Sequence, residues 1–238
     1  MLVLALDTAT LTLSAALVDR GRRVDGVGWQ DRVLDRRVIE PPTPHSSVLP
    51  SLLDEMLTKA GKKTADLSAV VVGLGPGSFT GLRISLATAK GLCYAAQRPL
   101  LGASSLRAMA LEAAPDVPEG TLLVPCLDAR KGEVYAGFFR KQGAQVVEEA
   151  PEAAVSPELL LERVAKEASA EVYGIGRAAY PALSGLPAPR TSVRTPDAAA
   201  LVAQIRAIPE YSAQAVFSLE PHYVRPSDSE WTSKPKKN

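Results

Sequence analysis

Apolar positions along the chain come first in short runs and later in helical stripes. Residues 2–6 form an unbroken apolar run that predicts a strand buried on both faces, closed by Asp7. Thr10 to Val18 alternates small, polar and apolar positions, as a second strand would. Arg20-Gly21 supplies a turn, and a third strand is expected over residues 22–30. Pro41-Pro42-Thr43-Pro44 reads as a connector. Beyond it, Ser46 or Ser47 is placed to cap a helix that runs to about Ala60, with Gly61 at its end. Ala69 to Leu74 predicts another buried strand, which leads through Gly75-Pro76-Gly77-Ser78-Phe79-Thr80-Gly81 into a helix from about Leu82 to Gln97.

The order β-β-β-α-β-α then comes again. Thr121 to Leu127, followed by Asp128, predicts a strand, Glu133 to Arg140 a second, and residues 144–149 a third after a turn at Gly143. Ser156-Pro157-Glu158 opens a helix through about Ala168, with Ser and Pro where the cap and first turn belong. Glu171 to Ile175 is a short strand and Pro196 to Ala207 a final helix. Asp7 and Asp128 each close the first strand of a half. A repeated ββ-hairpin followed by α-β-α is the layout of duplicated actin-like, ribonuclease H-like α/β lobes with mixed central sheets. The expected lobes span residues 1–103 and 104–226, with the last helix free to pack back on the first lobe. A polar tail follows over 227–238.

Two helices carry more apolar surface than one core face uses. Val48, Leu49, Leu52, Leu53, Met56 and Leu57 span roughly 180° of the first, against roughly 100° for a core stripe. Apolar residues including Leu86 and Tyr94 wrap most of the second, leaving Arg83 and Lys90 on one narrow edge. Either the helices bury each other against the sheet, or they offer a patch to another subunit.

Composition narrows the chemistry. The 238 residues carry a formal net charge of +1, too small for a protein that grips nucleic acid by its own field. The arginines at 20, 22, 23, 32, 36 and 37 are partly offset by Asp25, Asp31 and Asp35 and read as a soluble hairpin surface. No apolar run is long enough for a membrane span. The N-terminus lacks a basic leader and reads as a mature strand. Cys93 and Cys126 are isolated and fit no metal or redox spacing, so a reduced, cytoplasmic setting is expected.

The glycine loop from Gly75 to Gly81 matches neither the dinucleotide-binding pattern nor the P-loop, because Ser78 or Thr80 stands where a third glycine belongs and Gly81 precedes Leu82. Taken alone it reads as a structural tight turn. Ser78 and Thr80 have no evident histidine partner, and Lys90 reads as a solvated helix residue, so no nucleophile–base pair can be assembled.

As a string, however, Gly75 through Arg83 with Ser85 to Leu92 closely resembles the TsaB (YeaZ) family. So do Leu6-Asp7-Thr8-Ala9-Thr10, His45-Ser46 with Leu49-Pro50, Gly102 to Leu106, Leu127 to Tyr135 (with Asp128, Arg130 and Gly132), and Pro221-His222-Tyr223-Val224-Arg225. The resemblance implies a non-catalytic subunit that pairs with a TsaD-like catalytic sister. With a TsaE-like ATPase the set transfers threonylcarbamoyl from its adenylate to N6 of the adenosine beside certain tRNA anticodons. It implies docking through the two apolar helices (Val48, Leu49, Leu52, Leu53, Met56, Leu57, Leu86, Lys90 and Tyr94), tRNA contact through the complex, and a possible homodimer alone. The sister's metal-holding histidines stand four residues apart; here His45 is followed by Leu49, so no metal site is expected. Asp7 and Asp128 occupy the nucleotide-proximal hairpins of the superfamily, but Thr8-Ala9-Thr10 lacks a glycine and Gly174-Ile175-Gly176 only spaces its glycines. Nucleotide binding by the chain is therefore expected to be weak or nil, with ATP and magnesium held by partner subunits or at an interface. An actin-fold ATPase or small-molecule kinase and a metalloprotease are the competing readings.

Overall fold

A computed structural model describes residues 1–21, 23–24, 28–41 and 45–224. Arg22, most of the proline-rich connector, Arg225, the tail over 227–238 and the His45 side chain lie outside the described residues.

The first sheet is built from β1 (Leu2–Asp7), β2 (Leu13–Asp19), β5 (Arg32–Ile39), β6 (Ala69–Gly73) and β7 (Leu100–Ala103), in the order β5-β2-β1-β6-β7. β1 pairs antiparallel with β2 and parallel with β6, so β1 lies at its centre and is buried throughout. The second sheet repeats this plan with β8 (Leu122–Arg130), β9 (Glu133–Gln142), β10 (Gln145–Val155) and β11 (Ala170–Tyr173), in the order β10-β9-β8-β11. β8 pairs antiparallel with β9 and parallel with β11, as β1 does with β2 and β6. The duplicated actin-like α/β plan is thus present in both topology and pairing sense.

Side chains two apart share a sheet face. On one face of the first sheet Leu2, Leu4 and Leu6, with Val70 and Val72, meet α1 (His45–Lys59) and α2 (Phe79–Ala96). On the other, Val3, Ala5 and Val71 meet α6 (Ala198–Val202). Leu106 and Met109 of α3 (Ser105–Ala113) join Leu123, Leu127 and Phe139 on the second sheet. Its opposite face packs on Leu160 and Val164 of α4 (Pro157–Val164).

Several boundaries differ from expectation. The third strand of the first sheet is β5, not residues 22–30. Among its described residues that span holds the two-residue pair β3 (Arg23–Val24) and β4 (Gly28–Trp29). β5 is an edge strand with solvated charges, so it lacks the apolar signature of a central one. α1 begins at His45, which puts Ser46 and Ser47 inside the first turn instead of at the cap. α2 begins at Phe79, capped by the Ser78 hydroxyl, which accepts from the Gly81 N–H. β7, α3, α5 (Ile175–Ala179) and α7 (Ala213–Ser218) had no counterpart in the pattern. The expected final helix shrinks to α6. Arg20 helps to end it: this buried guanidinium donates to the carbonyls of Val202 (3.0 Å) and Ile205, so it is an internal clamp and not part of a hairpin surface.

Candidate functional site

Asp7 closes β1 at the junction of the two sheets. Its Oδ1 accepts the Ala9 N–H at 2.8 Å and its Oδ2 the Ser105 hydroxyl at 2.6 Å. Ser105 in turn accepts the Gly75 N–H at 3.2 Å, and its own N–H donates to the Gly75 carbonyl. The carboxyl is 1% exposed, and burial pushes its pKa up to about 6 against the pull of the Ser105 and Ala9 bonds. Both oxygens are committed to internal donors. Ser105 was not among the sequence candidates, although it stands in the matched Ala103-Ser104-Ser105 segment.

The glycine loop is built for close approach to the same strand end. Thr8 donates its hydroxyl to the Gly81 carbonyl at 2.7 Å, and the Ser78 N–H donates to Ala9 at 2.7 Å. A Cβ on Gly81 would lie within 3 Å of the Thr8 carbonyl oxygen, and one on Gly77 within 3 Å of Ala9. Gly75 and Pro76 are buried, while Thr80 and Arg83 face solvent on the first turns of α2. Here the glycines serve to bring two backbones together.

Between the sheets lies an open cleft of about 660 Å³. The β1–β2 turn (Ala9 to Thr12), Gly77 to Phe79, Leu127 to Arg130, Tyr135, His222 and Tyr223 line it. Asp7 does not reach its wall. Asp128 does, accepting the Tyr180 hydroxyl at 2.9 Å and the Arg130 N–H at 2.8 Å. Gly132 turns the chain from β8 to β9 with φ of +84°. Among the described residues no three His, Cys, Asp or Glu side chains gather as metal ligands.

The residues expected at a docking face divide. Leu49, Leu52, Leu53, Met56, Leu57 and Leu86 are buried in the chain's own core, and Val48 is half-buried. This corrects the expectation that they are presented to a partner. The outer side of α1 is polar, carrying Ser51, Asp54, Glu55 and Thr58. On α2 part of the apolar surplus meets α7: Tyr94 stacks on Phe217 at 5.4 Å, and Lys90 donates to the Phe217 carbonyl at 2.9 Å. Beyond its first turn, α2 still shows Arg83, Ala87, Gly91, Ala95 and Tyr94 to water, the last 56% exposed.

The family model described as "TsaD: tRNA N6-adenosine threonylcarbamoyltransferase" matches residues 42–210. The chain is 34% identical over 234 residues to the tRNA threonylcarbamoyladenosine biosynthesis protein TsaB of Escherichia coli K12, covering 94% of this chain and 95% of that one. The chain belongs to the TsaB (YeaZ) family. The Haemophilus influenzae TsaB is 29% identical over 94% of this chain and 93% of its own length. A Pseudomonas aeruginosa crystal structure described as having similarity to peptidase YEAZ superposes with a TM-score of 0.74 at 27% identity, over 94% of this chain and 99% of that chain. Two of the segments that carried the TsaB resemblance, residues 75–83 and 221–225, meet in space: Arg83 donates to the Tyr223 hydroxyl at 3.0 Å.

Proposed function

We propose that this TsaB-family chain is a non-catalytic subunit of the machinery that makes threonylcarbamoyladenosine in tRNA, acting by docking a TsaD-like catalytic subunit. The sealing of Asp7 carries the reading. An actin-fold phosphotransferase needs that carboxylate bare, to hold magnesium beside the phosphates. Here Ser105 and Ala9 occupy it, burial favours its neutral form, and the cleft wall passes it by. Leu49, which stands where the sister's second metal histidine would be, is a fully buried core residue.

Docking uses the outward line of α2. Ala87, Gly91 and Ala95 recur every four residues, with Tyr94 and Lys90 beside them. Small side chains let another helix approach closely, and an exposed tyrosine is a common energetic anchor. ATP and magnesium belong to the partner subunits, including a TsaE-like ATPase, or to an interface with them; tRNA is engaged through the complex. Alone, the chain pairs with a second copy through the same surface. The setting is the cytoplasm.

The test is size-exclusion co-elution with the catalytic subunit. Gly91→Arg and Ala87→Arg leave the fold intact and abolish co-elution, while Asp54→Arg on the polar side of α1 retains it. Retained co-elution in both α2 variants defeats the docking face.

A further inference from the structure

Two exposed aromatic side chains and a guanidinium form one stack at the mouth of the cleft. The Arg83 guanidinium carbon lies 3.6 Å over the Phe79 ring, and the Phe79 and Tyr223 rings are 5.2 Å apart and tilted by 35°. The Tyr223 hydroxyl accepts from Arg83 Nε and fixes the rotation of the guanidinium plane. Phe79 is 37% and Tyr223 41% exposed, and Arg83 faces solvent. Phe79, Tyr223 and Arg130 all line the cleft, and Lys131 follows Arg130 at the tip of the β8–β9 turn.

We propose that this rim is a contact for single-stranded RNA, in which an unpaired base stacks on the Phe79–Arg83–Tyr223 platform while Arg130 and Lys131 face the adjoining phosphates. Unpaired bases are recognised by stacking on aromatic rings and arginine planes, with cationic side chains tracking the backbone. Glu40 and Asp128 line the same cleft, and Asp128 is already taken up by Tyr180 and by the Arg130 backbone and guanidinium, the last at 3.5 Å. The two carboxylates limit the cleft's positive field, so the contact is weak and sensitive to salt. The assignment goes beyond docking of the catalytic subunit, which needs the middle and end of α2.

The test measures fluorescence anisotropy of the full chain at low salt with a labelled anticodon stem–loop RNA and with a fully paired duplex of the same length. The stem–loop is expected to bind more tightly. Tyr223→Ala and Arg83→Ala weaken it roughly tenfold, the effect of losing one stacking partner. Tyr223→Phe keeps the ring and the fold and loses less. Equal affinity for both RNAs, no measurable binding of either, or unchanged affinity in the variants overturns the proposal. So does a loss of co-elution with the catalytic subunit in Tyr223→Ala at unchanged RNA affinity, which would make the stack a protein contact. Failure of Gly91→Arg to disturb co-elution would sink the docking reading and leave the RNA measurement untouched.

Discussion

Asp7→Asn separates a structural carboxyl from a magnesium ligand. The native state holds the Asp7 proton up to about pH 6, whereas the ordinary value is 3.8. Between those values the folded chain binds the additional proton, so stability falls as pH rises through the window. Once pH passes about 7 the carboxylate is ionised in a buried site, and the difference amounts to about 3 kcal/mol. An amide is isosteric and uncharged. Its oxygen can accept the Ala9 N–H, and its NH2 can donate to the Ser105 oxygen. We expect Asp7→Asn to match the parent near pH 3 and to exceed it by up to about 3 kcal/mol near pH 8, measured by urea unfolding. Burial also raises Glu112 and Glu152. They impose the same sign on the parent's own curve, so the difference between the two proteins is the quantity that isolates Asp7. A variant less stable than the parent by a constant amount at both pH values would refute the reasoning, because the native state would then be using the charge.

Two further outcomes probe the frame around that carboxyl. Gly81→Ala drives a methyl into the Thr8 carbonyl, a backbone atom held by the Thr8–Gly81 bond, and should cost about 3 kcal/mol in urea unfolding. Arg20→Leu leaves the Val202 and Ile205 carbonyls without their cation and should cost about 2–4 kcal/mol. Hydrogen exchange should show the loss concentrated in the turn after α6.

Strands with apolar runs were legible: β1, β6 and β8 announce themselves because burial on both faces keeps them apolar up to the aspartates near the ends of β1 and β8. So was α4, whose Ser156 hydroxyl accepts from the Leu159 N–H and whose Pro157 takes the first turn. β5 was misplaced because an edge strand is free to carry Arg32, Arg36 and Arg37. α3 was missed because its short alanine-rich sequence, wedged against the second sheet and α6, shows no stripe. The docking residues were misjudged for a related reason. An apolar arc states how much of a helix must be covered, not by what, and α7, which covers part of α2, lies more than a hundred residues further along the chain. The Asp7 site was half legible: the aspartate stood out, while its hydrogen-bonding partner Ser105 arrives from a helix that the pattern did not predict.

The claim that this chain supports the chemistry without performing it is tested most directly by reconstituted transfer. Catalytic subunit, ATPase and tRNA are combined with the parent chain, with a chain carrying both Asp7→Asn and Asp128→Asn, or with no chain. Modified adenosine should form at equal rates with parent and double variant, and far more slowly when the chain is omitted. Loss of modification in a double variant that still co-elutes with the catalytic subunit would contradict the account.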